Sequence, residues 1–237
     1  MTEDRGPDGV SVSRETEEPD ATAPTTDVVD ADLDLAMVRE YFGSAYEPVE
    51  AFHDMLVAHG EERGLIGPRE LDRLWTRHLL NSAAVVPFLP PSGMIVDLGS
   101  GAGLPGIVVA AMLPEAQVVL VEPMERRCIW LAEVIAKLGL TNAEVRRGRA
   151  EEFHGAFEAD AVTARAVAAL DKLGRWAFPL LRRDGVLVAL KGRSASEEIA
   201  AATKVLRRYG ATDAEVLAAG TLPGVATTTV VRATRTR

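Results

Sequence analysis

The sequence of 237 residues contains a single cysteine, Cys128. It therefore has no internal disulfide, and a reducing compartment is expected. No uninterrupted apolar run approaches the roughly 18 residues that a membrane span needs. The start of the chain lacks the basic segment and apolar stretch of a secretory signal. A cytoplasmic location and no membrane partner are expected. Aromatic residues make up 5 % of the chain, too few for a stacking platform along a long single strand of nucleic acid. His53, His59, His78 and His154 are scattered and form no ligand spacing with Cys128, so no metal is expected. Paired carboxylates and a nucleophile-and-base set are likewise missing.

The charge is unevenly distributed. Residues 1–34 hold eleven acids and two bases, a local −9 that equals the formal net charge of the whole chain. The remainder holds 24 of each sign. Rich in Asp, Glu, Thr and Pro and without apolar periodicity, residues 1–31 read as a disordered acidic tail. Residues 32–92 carry apolar positions at three- and four-residue spacing and read as a helical N-terminal cap. Its helices are expected over 35–42, 48–60 and 68–89. From 93 to 237 short apolar runs alternate with amphipathic segments. The expected fold is α/β: a mostly parallel, Rossmann-like sheet of seven strands. The last two strands, near 214–220 and 226–234, lack an intervening helix and should form an antiparallel edge hairpin.

Directly after the first strand of this region comes "VDLGSGAGLPG", Val96–Gly106, with four glycines in eleven residues. A doubly wound sheet places its ligand at such a loop. Gly101, Gly103 and Gly106 spell G-x-G-x-x-G, and Glu122 closes the second strand 19 residues after Gly103, where an acid can accept from ribose hydroxyls. A dinucleotide stays open on spacing alone. Two details favour the cationic S-adenosylmethionine instead. Asp97 precedes the first glycine and would repel a pyrophosphate, and Pro105 removes a phosphate-binding N–H at the helix start. Gly99, Gly101 and Gly103 would let the backbone approach the methionine end, and Leu104 would offer an apolar contact. Asp97 would orient the loop or meet the ammonium through water.

The loop "DLGSGAGLPGI" resembles the signature of the RsmG (GidB) family of bacterial small-subunit rRNA guanine-N7 methyltransferases. The resemblance continues through "RHLLNS" (77–82), "VEPMERRCIWL" (121–131), "RRGRAEEF" (146–153), "TARAVAAL" (163–170) and "ALKG" (189–192), in order. Asn81 and Glu122 stand where the family usually has Asp, Arg126 where it has Lys, and "RGLIGPRE" (63–70) differs from its usual segment. The resemblance implies a class I methyltransferase with S-adenosylmethionine as cofactor. It implies 16S rRNA or the small ribosomal subunit as partner, and guanine 527 of the 530 loop as target. It assigns Gly99, Leu104, Ala150, Glu151 and Arg165 to cofactor binding, with Arg165 also at the catalytic rim as a positioning group. The guanine N7 lone pair lies in the ring plane, so no general base is expected. Basic residues at strand and helix ends, Arg126, Arg127, Arg146, Arg147, Lys191 and Arg193, are RNA-binding candidates together with His78. A monomer is expected. Three other readings remain: a class I methyltransferase acting on a small molecule or protein, an RNA-binding assembly factor without turnover, and a nicotinamide-dependent oxidoreductase.

Overall fold

The computed structural model describes residues 30–237. The acidic tail expected over 1–31 lies outside them, save for its last two residues. Those two do not belong to a tail. Asp30 opens a 3-10 turn, Asp30–Asp32, and its carboxylate reaches into the cap.

The sheet is built from β1 (Gly93–Leu98), β2 (Ala116–Glu122), β3 (Ala143–Arg147), β4 (Ala159–Arg165), β5 (Leu181–Lys191), β6 (Glu215–Ala219) and β7 (Thr228–Thr234). Their order is β3-β2-β1-β4-β5-β7-β6. β1 to β5 pair in parallel, whereas β7 runs antiparallel to both β5 and β6, the expected edge hairpin. The chain reverses direction across the sheet between β1 and β4, which opens a crevice at the carboxyl ends of those strands. Each central strand is buried on both faces. Ile95, Val118 and Leu120 pack towards the cap, while Val96, Leu98, Val119 and Val121 face the opposite layer. Helices α4 (Gly106–Met112) and α5 (Glu125–Leu138) cover the first face, and α6 (Leu170–Ala177) and α7 (Ala195–Arg208) the second.

The cap begins with α1 (Leu35–Phe42) and α2 (Tyr46–His59), as their periodicity requires. Its third segment differs from the single helix expected over 68–89. It divides into a 3-10 stretch (Pro68–Arg73), a π-helical stretch (Leu74–Leu79) and one α turn, α3 (Leu80–Ala83). Asp30 supplies the reason. Its carboxylate accepts from Trp75 N at 2.8 Å, Thr76 N at 3.0 Å and Thr76 Oγ1 at 2.9 Å. Those amides are thereby taken from the carbonyls of a continuous helix, and the turn restarts there. An aromatic cluster lies beside this break. Trp75 stacks on Tyr46 and on His53, with ring centroids 6.0 and 5.0 Å apart. A second difference lies at 170–183, which reads as one helix in sequence. α6 ends at Ala177, two residues before Pro179, which has no N–H to continue it; a 3-10 turn (Phe178–Leu180) follows, and Leu181 already starts β5.

Asp30→Ala should lower unfolding stability by about 1–3 kcal/mol, because two backbone amides and a hydroxyl lose their acceptor. Urea unfolding followed by tryptophan fluorescence measures this. An unchanged midpoint would show that packing alone holds the break.

Candidate active site

The glycine loop carries out two tasks that the sequence does not separate. Gly99, Gly101 and Gly103 adopt φ of +67°, +57° and +109°, a backbone that L side chains rarely take. At Gly99 a Cβ would stand 2.9 Å from Val167 Cγ2, so the loop and the 166–169 segment are in van der Waals contact. At Gly101 it would meet Gly99 O at 3.7 Å and Arg127 Nη1 at 3.9 Å, ordinary van der Waals distances. At Gly103 it would strike Ile107 at 2.7 Å and Phe52 at 3.1 Å. The side-chain direction of that glycine is filled by α4, α5 and the cap.

Two carboxylates hold the loop. Glu122 is 2 % exposed, and its two oxygens accept from Gly101 N at 3.0 Å and Met124 N at 2.9 Å. Each oxygen keeps a further lone pair for a ribose hydroxyl. The Arg127 guanidinium lies 3.9 Å away. Asp97, fully buried, accepts from Gly106 N at 3.1 Å through Oδ2. A Cβ on Gly106 would stand 2.5 Å from that oxygen, which ties the helix start to the carboxyl. Oδ1 has no partner among the described residues. Burial raises the Asp97 pKa to about 7, outweighing the Gly106 amide and the Arg165 charge, which favour the carboxylate.

A cavity of about 340 Å³ opens beside the loop, lined among others by Gly99, Val121, Ala150, Glu151, Val167 and Trp176. Its size is that of a small-molecule pocket, and Leu98 and Gly99 bring the start of the loop to its wall. The expected site residues Gly99, Ala150 and Glu151 thus come together with Glu122 behind them. Leu104 is 5 % exposed within the core shared with the cap. Trp176 and Lys172 line the same cavity from α6; their helical spacing alone gives no signal of it. An adenosyl group with a cationic tail fits this donor and acceptor set. A larger cavity, about 530 Å³, lies at the amino ends of β4 and β5. Its arginines are neutralised by the pairs Arg182–Asp160 and Arg232–Glu215, and it is remote from the loop.

Arg165 ends β4 at the mouth of the crevice and is clasped by the cap. Nη2 meets His78 Nδ1 at 2.8 Å, and Nη1 donates to Asn81 Oδ1 at 3.3 Å and Arg77 O at 3.4 Å. Burial lowers the guanidinium pKa to about 10, so it stays cationic at neutral pH. His78, expected to face RNA, instead points inward with its side chain 13 % exposed. Its Nε2 meets Glu70 Oε2 at 2.9 Å. A neutral ring satisfies both contacts, with Nε2–H donating to Glu70 and Nδ1 accepting from Arg165. Burial and the Arg165 charge lower its pKa in accord. The π-helical stretch of the cap sets Arg77 and His78 side by side at this seam. Glu70, not singled out in the sequence, and Asn81, noted there only as a departure from the family pattern, belong to the cluster.

Lys191 also departs from expectation. Its side chain is 8 % exposed, and Nζ donates to Ala168 O at 2.6 Å and Glu198 Oε2 at 2.7 Å. A lysine with those partners is committed to the fold and faces no phosphate. The other basic candidates form two groups. Arg126, Arg127, Arg146 and Arg147 gather at α5 and the β3 edge, where Arg146 pairs with Glu144 and Arg147 with Glu125 at 2.8 Å. Arg193 stands exposed beyond the end of β5.

The family profile described as rRNA small subunit methyltransferase G matches residues 45–222. A protein of Kineococcus radiotolerans called ribosomal RNA small subunit methyltransferase G is 48 % identical over 231 residues, covering 97 % of this chain and 89 % of the relative. One of the same name from Thermobifida fusca is 48 % identical over 198 residues, covering 84 % of each. Solved structures share the fold at low identity. A SAM-dependent O-methyltransferase from Thermotoga maritima superposes with TM-score 0.53 at 17 % identity, covering 66 % of this chain and 65 % of that one. TYW2 of M. jannaschii in complex with AdoMet gives 0.53 at 20 % identity, covering 68 % and 76 %.

Because Asp97 is protonated in the fold to about pH 7 and unfolded aspartate ionises near 3.9, its contribution to stability is fully present below about pH 4 and is lost as pH rises through 7. Asp97→Asn can keep the Gly106 bond and should remove this decline from the pH profile of urea unfolding. A variant profile parallel to wild type would assign the decline to other groups.

Proposed function

Because the chain belongs to the ribosomal RNA small subunit methyltransferase G family and is an S-adenosylmethionine-dependent methyltransferase, we propose that it methylates N7 of a guanine in the 530 loop of 16S rRNA, guanine 527 by the family resemblance. The observation that carries this reading is the junction at Val167. That residue lines both the loop-side cavity and a second one of about 490 Å³, which Arg165 and Asn81 border. A nucleobase in the second cavity lies next to a cofactor in the first.

Gly99, Gly101, Ala150 and Glu151 would hold the adenosyl and methionine parts, and Glu122 the ribose hydroxyls. When bound, the sulfonium supplies its methyl carbon to the N7 lone pair, and the S–C electron pair leaves with sulfur. Guanine N7 carries no proton, so the protein has to position rather than deprotonate. His78 agrees with that demand, since both of its ring nitrogens are engaged by Arg165 and Glu70. Arg165 retains N–H groups beyond those clasped by the cap. One of them can donate to the guanine O6 and fix the base with N7 towards the methyl. Arg126, Arg127, Arg146, Arg147 and Arg193 would meet the RNA backbone around the mouth.

Methyl transfer from labelled S-adenosylmethionine to small subunits lacking the modification, with free 16S rRNA alongside, should give 7-methylguanosine at one site in the 530 loop. Cofactor binding with no labelled nucleoside would overturn the RNA target. Arg165→Ala should lower kcat/KM by about 100-fold or more while the melting curve stays cooperative. Wild-type turnover in that variant would remove Arg165 from the site.

A further inference from the structure

The second cavity has a wall whose chemistry the methyl transfer itself does not use. Glu198, in the first turns of α7, lines it opposite the Arg165 side. One carboxylate oxygen is committed to the fold: Oε2 accepts from Leu170 N at 2.8 Å and from Lys191 Nζ at 2.7 Å. The same ammonium donates to Ala168 O, so it pins both the carboxylate and the 166–169 segment. Within that segment Ala166 holds φ at +55°, a conformation retained at a cost where the surroundings demand it. The other oxygen, Oε1, receives no hydrogen bond from the described residues, although the side chain is only 23 % exposed. A carboxylate anchored by one oxygen, with the other unspent in a cavity, is a fixed acceptor. It can take a ligand donor with little further loss of side-chain freedom.

We infer that Glu198 reads the Watson–Crick edge of the target guanine, accepting from its N2 amino group and N1–H. This rests on the N7 reading above. Guanine presents acceptors, N7 and O6, along one edge and donors, N1–H and the N2 amino group, along another. With N7 at the Val167 junction and O6 at Arg165, the N2 amino group extends away from the cofactor to the opposite wall. Arg165 and Glu198 therefore match the two edges of a guanine in sign. Adenine presents an unprotonated N1 at the Glu198 position and has no amino group at C2. It would leave the carboxylate desolvated and opposed by a lone pair, a strong basis for rejection. Lys191 acts through Glu198 and is a positioning residue.

Small subunits reconstituted with 16S rRNA bearing guanosine or inosine at the target test this, since inosine lacks the N2 amino group. Wild type should lose roughly ten- to a hundredfold in kcat/KM on inosine, the scale of one base-edge contact. Glu198→Gln can still accept from Leu170 N and Lys191 but would present an NH₂ group to the base. It should fall by a similar factor on guanosine, its guanosine-to-inosine ratio should contract towards one, and cofactor affinity by titration should be unchanged. Lys191→Met, which frees the carboxylate without altering it, should contract the ratio in the same direction and decides the matter if the Gln variant melts early. Equal wild-type rates on the two substrates, or a full ratio retained in a folded variant, would overturn the role of Glu198. Absence of 7-methylguanosine from the wild-type guanosine arm would instead overturn the N7 reading, and the two failures are told apart in that arm.

Discussion

The contact between Arg165 and the cap is where the two layers of this molecule become one site. Arg165 belongs to β4, yet the groups that orient it, Arg77 O, His78 Nδ1 and Asn81 Oδ1, all belong to the cap. A half-buried guanidinium needs such partners, because a charge drawn partly out of water without them costs more than the bonds it could keep with solvent. The clasp extends outward through His78 to Glu70, and sideways through Asn81 Nδ2 to Thr228 Oγ1 on β7 at 2.7 Å. Cap, central strand and edge hairpin are thus referred to one side chain. The loop on the cofactor side is held separately, by Asp97 and Glu122, from within the sheet. The two halves of the crevice are anchored by different elements and meet at Val167.

Much of this was legible from residues alone, for local reasons. Alternating apolar strands and amphipathic helices specify a doubly wound sheet, and the missing helix between 214–220 and 226–234 specifies the antiparallel edge. The bare glycines mark the ligand loop because positive φ and close approach are properties of the glycine itself. The features that escaped are set by distant partners. The break in the third cap segment depends on a carboxylate 45 residues earlier, Asp30, which composition assigns to the tail. Lys191 reads as a basic residue at a strand end until Glu198 and Ala168 O are found around its ammonium. Glu198 sits in a helix whose pattern is that of a solvated face. No spacing rule separates it from Glu197.

The same contrast explains the glycine loop. Its four glycines look equivalent in a motif, but each answers a different neighbour. Gly99 makes room for Val167, Gly101 turns beside Arg127, Gly103 packs under Phe52, and Gly106 lies on the carboxyl of Asp97. A motif match records their union. Of the four, Gly99 is the one that lines the cavity beside the loop.

The ion pairs at the β3 edge bear on how ionic strength acts on this protein. Arg146 and Arg147 already face Glu144 and Glu125 across exposed bridges, which are weak and easily exchanged. When such an arginine turns to a phosphate, the nucleic acid gives up a condensed cation, while the abandoned carboxylate takes one back from solution. The two exchanges partly cancel. Affinity for a polyanion should therefore vary with salt less steeply than the number of arginines at this edge suggests, and selectivity is left to the shape of the crevice.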